Sequence, residues 1–197
     1  MRLTPDALVY NVLSAGDPKI SPDGRQVVYT VGRADRQRDQ GTSQLWLANL
    51  DGSNARQLTF GGDRNREARW SPDGQQVAFV SDRVKNRSSL LDLPVRAPGE
   101  ARQITQHLRA IGHLAWSPDG ARIAYTTSFD PDNPDEQPLP EGRPPRPRVT
   151  RRLDYKQDNR GYLNDVRGQV FVVDVTSGTR RMRAFGSFGE RYVKLSM

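Results

Sequence analysis

Apolar and polar positions alternate in short runs along this chain, and the runs come in matching sets. Val27 and Tyr29, Val77 and Phe79, and Ile123 and Tyr125 are each two residues apart, so an extended backbone puts each pair on one face of a strand. The same corner precedes each run: Ile20-Ser21-Pro22-Asp23-Gly24, Trp70-Ser71-Pro72-Asp73-Gly74 and Trp116-Ser117-Pro118-Asp119-Gly120. Serine suits the first position of a type I turn, proline presets φ at the second, aspartate accepts a local backbone hydrogen bond, and glycine lets the chain leave. Each copy therefore reads as a tight turn between two strands. The serines at 21, 71 and 117 lie 50 and 46 residues apart, and a β-patterned period of that size predicts propeller blades.

Further strands fall in phase with these corners. Gln26 to Val31, Gln44 to Leu50 and Ala55 to Thr59 read as strands, with Ala34 to Gly41 a polar connection and Asp51 to Asn54 a hairpin turn. Ala101 to Thr105 repeats Ala55 to Thr59 almost letter for letter. The middle strand of the second repeat, Ser89 to Pro94, reads poorly because a central strand rejects proline. Gln169 to Val175 matches Gln44 to Leu50, with Thr176-Ser177-Gly178 as its turn and Thr179 to Phe185 as its outgoing strand. At the front, Thr4 is a helix N-cap with Pro5 at the first helical position, and Leu8, Val9, Val12 and Leu13 form an apolar stripe that Gly16 and Pro18 stop.

The expected fold is all-β: a partial propeller of about three four-stranded antiparallel blades, with a short helix near 5–15 and repeats near 17–66, 67–112 and 113–185. A proline-rich insertion near 129–167 interrupts the third repeat. Closed propellers have about 4–8 blades, so this chain reads as an incomplete ring. It is either the front part of a longer protein or a piece that completes itself by assembling with another chain, with self-association through exposed blade edges expected of the isolated piece.

Composition narrows the classes. At 35% hydrophobic residues and a mean hydropathy of −0.78, the 197-residue chain has the balance of a water-soluble domain. No apolar run approaches membrane-spanning length and no signal-peptide pattern opens the chain. Cysteine is absent, which excludes thiolate chemistry and suits a cytoplasmic location. The net charge of +7 comes mostly from arginine, since the only lysines are Lys19, Lys85, Lys156 and Lys194. That bias fits a nucleic-acid surface or a GC-rich coding sequence. The arginines are scattered among 23 acids, with one local excess from Arg143 to Arg152 that lacks interleaved aromatics, so no nucleic-acid partner is expected.

The corners resemble the blades of TolB-like proteins and of prolyl oligopeptidase family serine peptidases. The segment Arg151-Arg152-Leu153-Asp154-Tyr155-Lys156-Gln157-Asp158-Asn159-Arg160-Gly161-Tyr162 and the opening Leu3-Thr4-Pro5-Asp6 resemble the acylaminoacyl-peptidase branch. The resemblance implies a propeller that filters short or N-acylated peptides by size over a C-terminal α/β-hydrolase domain using serine, aspartate and histidine. That catalytic domain is not found in these residues. The nearest approach to Gly-x-Ser-x-Gly is Gly186-Ser187-Phe188-Gly189, and no histidine follows it. The last dozen residues depart from the family, which suggests a frameshift or premature stop after about Arg183. The rival reading is a free-standing TolB-like propeller for protein–protein interaction.

The candidate residues for substrate or the domain interface are Arg152, Tyr155, Lys156, Asp158 and Tyr162, whose tyrosines and cations suit a peptide carboxylate. No catalytic residue, cofactor or metal is expected. Asp23, Asp73 and Asp119 are explained by their turns. The acids Asp130, Asp132, Asp135 and Glu136, with Asn133, miss calcium-loop spacing at Pro134 and read as a solvated loop. His113 is expected to be packed or hydrogen-bonded, and with His107 shows no metal spacing.

Overall fold

The computed structural model describes residues 4–97, 99–138, 156–157, 161–162 and 166–183. Three four-stranded antiparallel meanders carry the fold, each with one of the three corners joining its first strand to its second. The first sheet is β1 (Ser14–Ile20), β2 (Gln26–Asp35), β3 (Gln40–Asn49) and β4 (Arg56–Gln57), in that spatial order. The second is β5 (Asn65–Trp70), β6 (Gln76–Ser81), β7 (Ser88–Pro94) and β8 (Arg102–His107). The third is β9 (Gly112–Trp116), β10 (Arg122–Phe129), β13 (Arg167–Asp174) and β14 (Arg180–Arg183). A two-stranded ladder, β11 (Lys156–Gln157) with β12 (Gly161–Tyr162), lies within the insertion.

The corners share one geometry. The serine hydroxyl donates to the aspartate Oδ1 at 2.6, 2.5 and 2.5 Å and accepts the N–H of Gln26, Gln76 or Arg122 at 2.9 to 3.0 Å. Gly24, Gly74 and Gly120 take φ of +69°, +66° and +69°, a region in which a Cβ is strained. The hydroxyl, followed by the Arg25 N–H, holds the Asp23 carboxyl down at about 2. Asp73 and Asp119 are lowered by the same serine contact.

Adjacent blades are joined at these corners. The Trp70 indole donates to the Lys19 carbonyl at 2.8 Å, and the Trp116 indole donates to the Arg69 carbonyl at 3.1 Å. Lys19 and Arg69 hold the same place, one residue before the corner residue of their own blade. A Cβ built on Gly74 would lie 3.4 Å from Pro22, and one on Gly120 3.8 Å from Pro72, so neighbouring corners stack. Apolar side chains fill the space between sheets. Val28, Leu45 and Leu47 pack on Val77, Phe79, Leu91 and Leu93, while Ala78, Val80 and Leu90 pack on Ile123, Tyr125, Phe171 and Val173.

Several expectations change. The helix α1 (Pro5–Tyr10) is shorter than 5–15, because Ser14, Ala15 and Gly16 are taken by pairing with Gly32, Val31 and Thr30, and the ladder overrides helical periodicity. Its apolar stripe remains exposed, and Arg36 anchors the helix through Asp6 at 3.0 Å and over the Tyr10 ring. The connection expected at Ala34 to Gly41 shrinks to the four-residue turn Arg36 to Asp39, because the ladder pairs out to Asp35↔Gln40. The doubted strand β7 forms and is buried from Ser89 to Leu93, because Pro94 occupies its last position and the following Val95 N–H bonds the Gln75 carbonyl. β4 is shorter than Ala55 to Thr59, since the Thr59 hydroxyl replaces a backbone acceptor for the Leu45 N–H at 2.9 Å. The third blade resumes with β10 and β13 paired from Arg122↔Asp174 to Phe129↔Arg167, which puts the insertion at the end opposite the corners.

Phe79 is wholly buried between two blades, whereas Tyr29, at the same place in the first blade, is half-buried. Phe79→Ala should cost about 3–5 kcal/mol and Tyr29→Ala less than about half of that, read as urea midpoints at constant slope. Equal losses would show that both residues are equally enclosed.

Candidate functional site: the insertion root and the inner wall

Of the residues expected to meet a ligand, Arg152, Tyr155 and Asp158 lie outside the described residues. Lys156 is exposed on β11, and its Cα faces that of Tyr162 across the ladder. The structure thus brings together Lys156 and Tyr162 in register.

The acidic loop at the root of the insertion is more tightly built than its composition suggests. Asp130 accepts the Asp132 N–H at 3.0 Å and pairs with Arg109 at 3.2 Å, while Asn133 exchanges two bonds with the Gln137 backbone. These contacts turn Glu136, at φ +50°, inward. A solvated loop is therefore the wrong description of Glu136, whose side chain is 14% exposed. A carboxylate only accepts, so the His107 Nδ1 carries a proton and donates to Glu136 Oε1 at 2.7 Å. The Tyr125 hydroxyl sits 2.8 Å from Nε2, and the imidazole is wedged against the Tyr125 and Phe171 rings. Arg180 donates to the Gln106 carbonyl at 2.8 Å and brings its charge to 4.0 Å from Glu136 Oε2.

Carboxylate, imidazole and hydroxyl in a row have the layout of a nucleophilic triad, but their burial excludes that chemistry. Tyr125 is 1% exposed, and burial pushes its hydroxyl far above the ordinary phenol range, so it keeps its proton. The cluster fastens the insertion root across the seam between the second and third blades. Residues 107 and 136 are 29 apart in sequence, with no shared element or motif to signal the pairing.

The first strands β1, β5 and β9 form the inner wall, since they approach one another while the outer strands diverge. Each carries a β-bulge, and in each the residue three before the corner residue has a positive φ: Asp17 at 47°, Glu67 at 58° and His113 at 53°. His113 is exposed there, rather than packed. Asp17 binds Lys19 at 2.8 Å and Arg69 at 3.2 Å, and Arg69 also binds Glu67 at 3.1 Å, so ion pairs cross from the first blade to the second. Beside them an open cleft of about 360 Å³ is bordered by Gly16, Gly32, Thr30 and Arg66. This wall can offer polar contacts to a passing chain. Among the described residues, no group of three or more His, Asp or Glu is placed to hold a metal ion.

Desolvation raises the Glu136 carboxyl, but the His107 hydrogen bond, the charges of His107 and Arg180 and the Leu108 N–H together outweigh it and hold the carboxyl below its ordinary value. A lowered folded pKa stabilises the protein above the unfolded value, and the benefit is lost as pH falls through the folded one. Glu136→Gln should therefore cost about 1–2 kcal/mol at neutral pH, with the gap to the parent chain closing below about pH 4. Parallel stability curves for the two proteins across pH 3–7 would remove the ionised latch from the account.

Known proteins share this architecture. The family profile described as "TolB beta propeller domain" matches residues 7–133. The uncharacterized peptidase YuxL of Bacillus subtilis (strain 168) is 31% identical over 168 residues, which is 85% of this chain and 25% of that protein. Dipeptidyl-peptidase 5 of Porphyromonas gingivalis is 34% identical over 80 residues, 41% of this chain and 12% of that protein. The chain thus spans a quarter or less of the length of these curated relatives. Among solved structures, Pyrococcus horikoshii acylaminoacyl peptidase superposes with a TM-score of 0.69 at 14% identity, over 90% of this chain and 26% of that one. TolB from Acinetobacter baumannii superposes at 0.53 with 19% identity, over 85% of this chain and 31% of that one. Since the matched stretch runs through all three corners, the chain belongs to the TolB β-propeller domain family.

Proposed function

We propose that this chain is the front part of a gating propeller, which admits short or N-acylated peptides to a serine peptidase site on a C-terminal α/β-hydrolase domain. The observation that carries this reading is the alignment over 85% of the chain with one quarter of a peptidase. The inner wall supplies the physical logic. A wall of β-strands with fixed bulges and ion pairs is stiff, so passage along it is limited by the cross-section of the entering molecule. A flexible peptide can thread such a passage, whereas a folded protein would first have to unfold. In this reading Arg152, Tyr155, Lys156, Asp158 and Tyr162 meet the peptide or the hydrolase domain from the insertion. Among the described residues no serine or threonine hydroxyl is hydrogen-bonded to a histidine, so in this reading the chain acts on access and not on bond cleavage.

The test is a chimera in which the matched 168 residues of the Bacillus protein are replaced by their counterparts from this chain. It should hydrolyse N-acetylated dipeptide anilides and leave a folded protein of similar sequence content intact. A folded chimera that digests both at similar rates would contradict gating. Stable capture of a folded protein partner by the chain alone, without size discrimination in the chimera, would favour the TolB-like binding role instead.

A further inference from the structure

The inner wall holds one cation that nothing among the described residues neutralises. Gly16, Arg66 and Gly112 occupy one level of β1, β5 and β9, each just before the left-handed bulge residue of its strand and each paired across the ladder with Thr30, Val80 or Thr126. With glycine at the other two places, Arg66 is the only side chain at that level. Glycine inside a strand marks a place where a ligand or another backbone comes close, and a Cβ on Gly16 would meet nothing within 4 Å. Arg66 and Gly16 both border the cleft of about 360 Å³, whose walls come wholly from the first two blades. The two acids of that cleft are already taken. Asp17 is held by Lys19 and Arg69, and Glu67 by Arg69. Arg66 makes no ion pair or side-chain hydrogen bond among the described residues, so the uncompensated charge of the cleft is positive and sits on its guanidinium.

We propose that this cleft is a subsite for a carboxylate of the entering peptide, gripped by the Arg66 guanidinium. The proposal rests on the gating reading, from which it takes peptides as the molecules that pass the wall. The anionic groups of a peptide are the carboxylates of its Asp and Glu side chains and of its C-terminus. A guanidinium presents a planar fork of donors that fits a carboxylate through two parallel hydrogen bonds. The volume lies at the small end of ligand clefts, which run from about 300 to 1,000 Å³, and so suits part of a peptide. The backbone beside it is suited to the same occupant. Between Gly16 and Lys19 the register of β1 shifts, which releases backbone groups from the ladder, and such groups bond the amides of an extended peptide. The site therefore sorts peptides by charge on a wall that sorts them by thickness.

The test is an NMR titration of the nitrogen-15-labelled chain with N-acetylated tetrapeptides matched in length: one with a free C-terminal carboxylate, one amidated with an internal Glu, and one amidated with Gln in its place. A carboxylate-bearing peptide should shift the amides of Gly16, Gly32 and Arg66 and bind about tenfold tighter than the neutral one. The tighter of the two charged peptides names the source of the carboxylate, chain end or side chain. Arg66→Gln should bring the charged peptides down to the affinity of the neutral one, and Arg66→Lys, which keeps the charge without the fork, should retain part of the preference. Gly16→Val, which fills open space beside Arg66, should weaken every peptide. No binding, equal affinity for the matched peptides, or a preference that survives Arg66→Gln or Gly16→Val in a chain whose strand amides keep their positions would overturn the proposal. These outcomes are separable from those of the chimera. A chimera that spares folded proteins but ignores Arg66→Gln keeps gating and loses the subsite, whereas carboxylate binding by the chain, with a chimera that digests folded proteins, does the reverse.

Discussion

Two indole N–H groups, each given to a carbonyl of the preceding blade, are the constraint on which this structure depends. The inner strand of a blade is the edge of its sheet, so some of its backbone groups have no ladder partner and must be satisfied otherwise. Trp70 and Trp116 satisfy two of them, at the Lys19 and Arg69 carbonyls, and so fix each blade's distance and angle to its predecessor. Arg69 shows how closely the junctions are coupled. Its guanidinium binds Asp17 of the first blade, while its carbonyl takes the indole of the third. The corner behind each indole is held by its serine and aspartate, which gives the aromatic ring a fixed platform.

That platform explains what was legible in the sequence. The Ser-Pro-Asp-Gly corners specify their turns by local chemistry, and alternation after them correctly places Val77 with Phe79 and Ile123 with Tyr125 on the faces that become the core. The all-β, three-blade architecture follows from those two signals. Features decided by contacts distant in sequence were less legible. Helix α1 ends early because Ser14 to Gly16 pair with β2, a choice that the apolar spacing of Leu8 to Leu13 does not record. Proline in Ser89 to Pro94 is harmless at the end of the ladder, and only the register shows where the ladder ends.

The insertion root and the inner wall mark the limits on the functional side. Glu136 looked like one of several solvated acids, yet Asn133 and Asp130 shape the loop so that it alone meets His107. The bulge residues Asp17, Glu67 and His113 share a left-handed backbone but no residue type, so nothing in their letters points to a common role. Left-handed backbone at a residue other than glycine costs about 1–2 kcal/mol, which the surrounding junctions must hold in place. The access-control reading draws on this rigidity: a wall braced by corner, indole and ion pair can sort entering chains by their thickness, and the chemistry is left to another domain.

Hydrogen exchange at the three indole N–H groups, followed by NMR under native conditions, tests the blade junction most directly. Trp70 and Trp116 should exchange slowly and together, with protection approaching that of the core amides, while the half-exposed Trp46 exchanges much faster. Rapid exchange of Trp70 and Trp116 at the rate of Trp46, in a chain whose strand amides remain protected, would show that the blades are not held by these bonds.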